Sequence, residues 1–292
     1  MPKIIDLEQG TPEWKEWRRW KIGASMAPVI MGVSPFQTKM QLWESIVFGE
    51  DKEANFAMKR GTRMEEKARQ WINNRKMIGS PYQPKCLQHD AIPWMIASMD
   101  GMALTWLSGV EIKEICEIKC PGAEAHLMAL SGKVPDYYMP QLQHQMVVAD
   151  LEEILYVSFD GEEGIEIVVP RDDEYITKQL MPQEAAFYQS LLDFAPPEMS
   201  DKDVEQIDDP EAIAVAFEYK RCLDKLAFLE KDAKNLKEKL ISYAKHSRVS
   251  IGDLKLTKVI RKGSIQYDKI QELSRVDLEK YRKEPVVSWR IT

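Results

Sequence analysis

Long apolar runs are absent from this sequence. The apolar stretch at 146–149 is far shorter than the ~20 residues that a membrane-spanning helix requires. The N-terminal residues also lack the apolar segment of a signal peptide. We therefore expect a cytoplasmic protein without a membrane partner.

Cysteine and histidine are both scarce, with four residues of each type in 292. Cys86, Cys116, Cys120 and Cys222 are too few and too scattered for a disulfide framework. Their spacing does not resemble that of an iron–sulfur cluster, so we expect buried, reduced thiols and no such cluster. The histidines show no paired ligand spacing, which argues against a zinc site.

The charge of the chain is unevenly distributed. The net charge of −7 at first argues against a nucleic-acid partner. However, residues 151–211 carry 18 acidic and 3 basic side chains, whereas residues 1–150 carry 18 of each. Since one acidic stretch dominates the total, the net charge does not exclude DNA, and we expect DNA to contact the 1–150 part.

A segment rich in proline and acidic residues, 195–211, has the composition of a linker. It predicts a first domain at 1–200 and a C-terminal appendage at 201–292. The length of the chain is sufficient for two domains of this size.

The appendage begins with a regular apolar pattern. From Ala212 to Tyr243, ten apolar or aromatic residues follow one another at alternating spacings of three and four, which predicts a long helix over 210–246. This helix suits either a coiled-coil arm for self-assembly or partner binding, or a helix packed on its own domain. A small α+β tail is predicted after it, with strands at 253–260 and 286–291 and a helix at 276–283.

Periodicity in the first domain predicts helices that alternate with β-hairpins. The predicted helices are 14–21, one from Ser25, 61–77, 140–150 and 174–194. The predicted strands are 96–104, 110–120, 154–159 and 164–169. This order predicts an α/β fold in which helices flank a mixed central sheet.

One pair of strands carries residues suited to catalysis. Glu117 and Lys119 share a face of their predicted strand, because alternate side chains of a strand point to the same side. A hairpin brings Asp100, near the end of the preceding strand, beside Glu117. Cys116 and Ile118 then point into apolar packing on the other face.

Two converging carboxylates and a backbone carbonyl, that of Ile118, suit a hard cation such as Mg²⁺. Lys119 beside them can orient or deprotonate a water molecule and offset the charge of a phosphate. This set predicts metal-assisted phosphodiester hydrolysis. On the spacing alone, the alternative is a salt bridge on an exposed strand.

Five short segments resemble the phage lambda exonuclease and YqaJ-type viral recombinase family of the PD-(D/E)xK nuclease superfamily. They are WKEWRRWKIGAS (14–25), GTRMEEKAR (61–69), SMDG (98–101), EIKCP (117–121) and YMPQLQHQM (138–146). They follow the order of the family across residues 10–190, with Met99 in place of the proline of the motif. The resemblance implies the restriction-endonuclease-like α/β core of that superfamily.

The resemblance also implies roles for individual residues. Asp100 and Glu117 resemble the metal-binding acids, and Lys119 resembles the catalytic lysine. Glu65 matches a further active-site glutamate, which would support the metal, directly or through water. Gln141 resembles the active-site glutamine that follows the ExK strand.

Three further assignments follow from the same resemblance. Arg18 and Ser25 resemble the pair that binds a terminal 5′-phosphate, with Arg19 as a competing candidate for the guanidinium. The alternative is that neither residue binds phosphate: Ser25 would be a helix N-cap and Arg18 a surface charge. Met58 resembles an apolar wedge that parts the terminal base pair, with a core methionine as the alternative. Glu66 is the alternative to Glu65 if the alignment shifts by one residue.

The function implied by the resemblance is a Mg²⁺-dependent 5′→3′ exonuclease, with Mn²⁺ as a substitute metal. It would act on double-stranded DNA ends, release 5′-mononucleotides and leave 3′ single-stranded overhangs for phage-type homologous recombination. The implied partners are a single-strand annealing protein and two further copies of the chain in a ring-shaped homotrimer. The alternatives are a structure- or sequence-specific endonuclease of the same fold and a non-catalytic recombination scaffold that uses the coiled-coil arm.

Overall fold

A computed structural model describes most of the chain. The described residues are 2–49, 56–76, 79–107 and 110–259, without the side chains of 56–59, 62, 106, 107, 110 and 111. The chain divides into two units, Met1–Glu205 and Gln206–Thr292. Within the described ranges, no helix combines the length and the apolar character needed to span a membrane.

Seven strands of the first unit form one mixed sheet. The strands are β1 (Lys3–Ile5), β2 (Ile22–Gly23), β3 (Gln83–Gln88), β4 (Met95–Leu107), β5 (Val110–Lys119), β6 (Glu153–Phe159) and β7 (Gly164–Pro170). The order across the sheet is β1-β3-β4-β5-β6-β7, and β2 pairs with β4. The β2–β4 and β5–β6 pairs are parallel and the others are antiparallel, so β4 and β5 form the predicted hairpin.

Helices cover both faces of this sheet. The helices of the first unit are α1 (Pro12–Arg18), α2 (Ala27–Ile30), α3 (Lys39–Phe48), α4 (Phe56–Arg75), α5 (Ala123–Leu130), α6 (Met139–Ala149), α7 (Asp173–Tyr175) and α8 (Met181–Leu192). On one face, Leu142 and Met146 of α6 belong to the main apolar core. On the other face, Ala68 and Ile72 of α4 belong to a second core. The predicted α/β fold with a mixed, helix-flanked sheet is thereby confirmed.

The two faces of β5 have different neighbours, as the strand alternation predicts. Cys116 and Ile118 lie in the core beneath α4, whereas Ile115 lies in the core beneath α6. Glycine is required at Gly101 on β4, since an added Cβ would lie 2.5 Å from the Sγ of Cys116. The SMDG segment of β4 therefore packs closely against β5, the strand that carries Glu117 and Lys119.

Several helix boundaries differ from the predicted ones. The predicted first helix extends to residue 21, whereas α1 ends at Arg18 and Trp20 adopts a left-handed φ of 58°, which interrupts a helix. A 3-10 turn, Ala24–Met26, precedes α2 in place of a helix that starts at Ser25. The predicted closing helix contains a π-helical segment, Ile176–Leu180, between α7 and α8.

Strands β1, β2 and β3 and helices α3 and α5 were not predicted. Strand β1 has only three residues, and β3 lacks an alternating apolar pattern because it begins Gln-Pro-Lys. A usable signal for α3 was present, since Thr38 and Gln41 form a capping box at its start.

The first half of the predicted linker belongs to the first unit. The Oγ of Thr38 donates a hydrogen bond to Asp203, and the side chain of Asp203 also accepts from the backbone N–H of Ser200 at 2.7 Å. A linker over the whole of 195–211 is therefore wrong for its first half, because these polar side chains attach the segment to the start of α3.

In the second unit, α9 (Pro210–Ser242) is the predicted long helix. None of its residues is buried, so its apolar stripe is largely exposed. A hairpin of β8 (Arg248–Ile251) and β9 (Leu254–Thr257) follows. Only one strand was predicted there, and the predicted elements at 276–283 and 286–291 lie outside the described residues.

Candidate active site

Glu117 is the centre of the candidate site. Its carboxylate is buried and accepts three hydrogen bonds, all at 2.5 Å, from the Nζ of Lys119 and the side-chain amides of Gln141 and Gln145. Strand β5 provides the acid and the lysine, and α6 provides the two amides. A buried carboxylate is stable only with such partners.

Helix α6 is held in one orientation over the sheet. Gln141 and Gln145 are four residues apart, so they lie on the same face of the helix. The imidazole of His144 is completely buried and contacts the carboxylate of Glu184 at 2.8 Å and the carbonyl of Ile96 at 2.9 Å. These contacts tie α6 to α8 and β4, which fixes where the two amides point.

Asp100 lies against the same strand. Its Oδ2 accepts a hydrogen bond from the backbone N–H of Ile118 at 2.8 Å, and its carbonyl accepts one from the Nε of Arg69 at 2.7 Å. Burial and the negative charge of Glu117 raise the pKa of Asp100 well above its usual value, although Lys119 partly opposes this shift. The hairpin thus brings the two predicted metal-binding acids together.

Glu65 approaches the site from α4. Arg69, one turn further along α4, forms ion pairs with both Glu65 and Glu66. Burial raises the pKa of Glu65, and Arg69 opposes the shift. Because Glu65 is half-buried and interacts electrostatically with Glu117 whereas Glu66 is exposed, the geometry favours Glu65 as the active-site candidate.

The ammonium of Lys119 is strongly held in its charged form. Burial alone would lower the pKa of Lys119, but the carboxylates of Glu117 and Asp100 more than reverse this and raise it. The ring of Tyr138 lies 5.2 Å from the Nζ. The ammonium is thereby held against Glu117, where it can orient a water or a phosphate oxygen.

The donor set fits a hard divalent cation. Asp100, Glu117 and the carbonyl of Ile118 supply oxygen, which Mg²⁺ prefers, and a cation would favour the charged form of Asp100, which burial and the charge of Glu117 disfavour. No group of three His, Cys, Asp or Glu side chains in the described ranges is arranged to hold a metal ion. For a cation, the site therefore offers the carboxylates of Asp100 and Glu117. The carboxylate of Glu65 forms an ion pair with Arg69.

The two candidates for the terminal phosphate are Arg18 and Ser25. The guanidinium of Arg18 stacks over Trp14, with its carbon 4.3 Å from the ring centroid. It also lies next to Gly23, two residues before the exposed Ser25. Arg19 instead points to solvent and pairs with Glu16 at 3.8 Å, so the geometry favours Arg18.

Neither alternative for this pair agrees with the structure. The N-cap positions of the 3-10 turn and of α2 are Gly23 and Met26, so Ser25 is not an N-cap. Burial lowers the pKa of Arg18, which is therefore not a simple surface charge. Met58 is in the first turn of α4, but its side chain is outside the described residues.

The cysteines are free thiols. Cys86 and Cys116 are buried and Cys120 is half-buried, as predicted, whereas Cys222 is exposed on α9. The prediction of a buried thiol is wrong for Cys222, because α9 has no buried residues.

Two residues of the site were missed in the sequence. Gln145 bonds the second oxygen of Glu117, and Arg69 bridges Glu65 and the backbone of Asp100. Both lie four residues after a predicted site residue on the same helix, and this spacing was the available signal.

We expect Gln145→Met to lower the rate of DNA cleavage about 10- to 100-fold and to raise the Mg²⁺ concentration needed for half-maximal activity. Glu117 would lose a hydrogen bond that sets its orientation. Initial rates measured against Mg²⁺ concentration test this. Gln143→Met is the control, because Gln143 is equally buried on α6 but bonds the carbonyl of Pro170. If the Mg²⁺ concentration needed for half-maximal activity rises equally in both variants, Gln145 contributes only to the packing of α6.

Residues 13–152 match the family model of the YqaJ-like viral recombinase domain. Over these residues the chain is similar to that domain. The match contains every acid, lysine and glutamine of the candidate site, and it confirms the resemblance noted in the sequence.

Two solved structures of the alkaline exonuclease LHK-Exo, one described as from Laribacter hongkongensis and one in complex with dAMP, resemble this chain. Each is 25% identical in sequence, and the alignment covers 63% of this chain and 94% of the other. The TM-scores are 0.53 for the dAMP complex and 0.52 for the other structure. No curated protein matches this chain significantly. The comparisons support the predicted enzyme class, a deoxyribonuclease.

Proposed function

We propose that this protein is a Mg²⁺-dependent 5′→3′ exonuclease that degrades one strand from double-stranded DNA ends, with Mn²⁺ as a substitute metal. It would release 5′-mononucleotides and leave 3′ single-stranded overhangs for homologous recombination. The observation that carries the proposal is the buried carboxylate of Glu117, which two glutamines of α6 hold and which lies with Asp100 and Lys119 in one cluster. The similarity to an alkaline exonuclease, solved once with a deoxynucleoside monophosphate, supports it.

Each side chain has a role in this proposal. Asp100, Glu117 and the carbonyl of Ile118 would hold the cation, which supplies Lewis-acid activation of the phosphate and of the attacking water. The ammonium of Lys119 orients that water and offsets the charge that develops on the phosphate. Gln141 and Gln145 keep the carboxylate of Glu117 in place, and Glu65 supports the metal through water.

Linear duplex DNA labelled at a single end tests the proposed polarity and product. With Mg²⁺, the 5′-ended strand should shorten first, and the released label should migrate as a 5′-mononucleotide. Shortening of the 3′-ended strand would contradict the polarity, and release of oligonucleotides would contradict the product.

The Arg18 and Ser25 pair predicts a preference for phosphorylated ends. We expect a duplex with 5′-phosphates to be degraded about tenfold faster than one with 5′-hydroxyls, because a guanidinium binds phosphate through charged hydrogen bonds. Arg18→Ala should remove the preference. Arg19→Ala should retain it, because the side chain of Arg19 is exposed and pairs with Glu16. Equal rates on both duplexes with the unmodified protein would contradict a phosphate-binding site at Arg18 and Ser25.

An endonuclease of the same fold is distinguished by covalently closed circular DNA, which an exonuclease leaves intact. A non-catalytic scaffold would cleave neither circular nor linear DNA. The uncovered apolar stripe of α9 is the observation that favours a scaffold contribution, as an arm added to the nuclease.

The assembly is proposed on the resemblance. We infer a ring-shaped homotrimer around DNA and a single-strand annealing protein as partner, with a nuclease domain at 1–200 and an appendage at 201–292. A closed ring would keep DNA bound by topology, so each subunit would need only weak attraction for DNA.

A further inference from the structure

A series of aromatic side chains connects the protein surface with the proposed catalytic lysine. The ring of Phe36 meets the ring of Tyr137 edge to face, with centroids 6.0 Å apart and planes at 89°. Tyr137 contacts Tyr138 at 4.4 Å, and the ring of Tyr138 lies 5.2 Å from the Nζ of Lys119. Each contact in the series is thus 6 Å or less.

The fold places these rings together from two distant segments. Phe36 lies in the loop between α2 and α3, where its backbone N–H donates a hydrogen bond to the Oγ of Ser34 at 3.2 Å. Tyr137 and Tyr138 belong to a 3-10 turn, Asp136–Tyr138, that leads directly into α6. The helix that holds Glu117 therefore also positions the aromatic series.

Phe36 is the outermost ring and is 77% exposed. A single exposed phenylalanine is common in proteins and indicates little by itself. Phe36 differs because its ring contacts that of Tyr137, which orients it, and because the contacts that follow end at Lys119. The exposed ring is thus an oriented planar surface at the outer end of a series of contacts that leads to Lys119.

We propose that Phe36 and Tyr137 form a stacking platform for an unpaired base of the cleaved DNA strand, next to the nucleotide whose phosphate is attacked. This proposal rests on the proposed nuclease function. The platform offers aromatic planes, which suit a nucleobase of any sequence because every base has a π-face. An exonuclease that must process any sequence needs this tolerance.

Matched variants test the platform in the full-length protein. Phe36→Ala should lower kcat/KM on linear duplex DNA about tenfold, the size expected for one lost base–aromatic stack, and Phe36→Trp should keep or raise it. Phe48→Ala is the control, since Phe48 is 67% exposed and meets Trp43 edge to face at 6.2 Å. Its kcat/KM should not change.

Substrates with one abasic residue identify the occupant. The abasic residue is placed in turn at each of the four terminal positions of the cleaved strand. At one of these positions, we expect the abasic residue to lower kcat/KM of the unmodified protein about tenfold. The same substrate should not lower kcat/KM of Phe36→Ala further, because that variant has already lost the stack. Independent, multiplicative losses at every position would overturn the proposal and indicate a backbone or groove contact.

Binding without cleavage gives a second readout. In EDTA, the fluorescence of Phe36→Trp, measured against a Phe48→Trp control that reports general binding, should change on addition of an intact DNA end and much less with the abasic substrate identified above. An equal response to both substrates would contradict stacking. If the unmodified protein fails to cleave DNA at all, the proposed function fails; if it cleaves but no position couples to Phe36, only the platform fails.

Discussion

Lys119→Ala should release nucleotides from linear duplex DNA about 10²- to 10⁴-fold more slowly than the unmodified protein, while it still binds DNA ends. The ammonium of Lys119 is the cation nearest to Glu117, at 2.5 Å, and both acids keep it protonated. Its loss removes the group that orients the water and offsets the phosphate charge. Nucleotide release and end binding are measured in parallel with an end-labelled duplex.

Lys113→Ala is the matched control for this variant. Lys113 lies on β5 as well, six residues before Lys119 and therefore on the same face by strand alternation. It should retain full activity. If alanine at 119 destabilises the buried cluster, Lys119→Met preserves most of the side-chain volume and should be equally inactive. Activity of both variants within twofold of the unmodified protein would refute the role of the lysine.

Asp100→Asn should lower nucleotide release about a thousandfold, close to 4 kcal/mol of activation free energy, and at the same time stabilise the metal-free protein. The amide oxygen can still accept the hydrogen bond from the N–H of Ile118. The charge that burial and Glu117 disfavour is removed, however. We expect a rise of about 2–4 °C in melting temperature in EDTA at neutral pH.

The pH dependence of this effect follows from the direction of the pKa shift. Because the pKa of Asp100 is raised in the folded state, the unmodified metal-free protein should lose stability as pH rises from about 4, the pKa in the unfolded chain, through the raised folded-state pKa. Asp100→Asn should lack this part of the loss. The stability difference between the two should therefore grow with pH and then level off.

Divalent cations should offset the loss of stability that the charge of Asp100 causes. Mg²⁺ or Mn²⁺ should raise the melting temperature of the unmodified protein, because binding to the folded state stabilises it, and should have little effect on Asp100→Asn. Asp136→Asn, at an exposed position, is the control and should behave like the unmodified protein. Equal stabilisation of all three proteins by the cation would exclude Asp100 as a ligand.

Much of the fold was predictable because its elements carry strong local signals. The β4–β5 hairpin and β6–β7 were predicted from apolar alternation, and α6 from its apolar periodicity and the proline in its first turn. The short β1 and the irregular β3 were not predictable in this way. The pairing of β1 to the sheet depends on neighbours more than 80 residues away, such as Ile5 with Cys86.

The candidate site divides in the same way. The sequence alone determined that Glu117 and Lys119 share one face of β5, because the alternation of side chains along a strand is a local property. It also determined, through the hairpin, that Asp100 lies beside them. These are the residues whose positions depend on one hairpin and on no other element.

The tertiary structure decided which other side chains reach that cluster. Gln145, Arg69 and the aromatic series from Phe36 to Tyr138 lie on helices and loops whose placement depends on how α4 and α6 pack on opposite faces of the sheet. The choice of Arg18 over Arg19 likewise depends on the left-handed turn at Trp20 and on the space beside Gly23. Local sequence patterns specify the direction of a side chain within its own element, whereas contacts between distant elements arise only when the core packs.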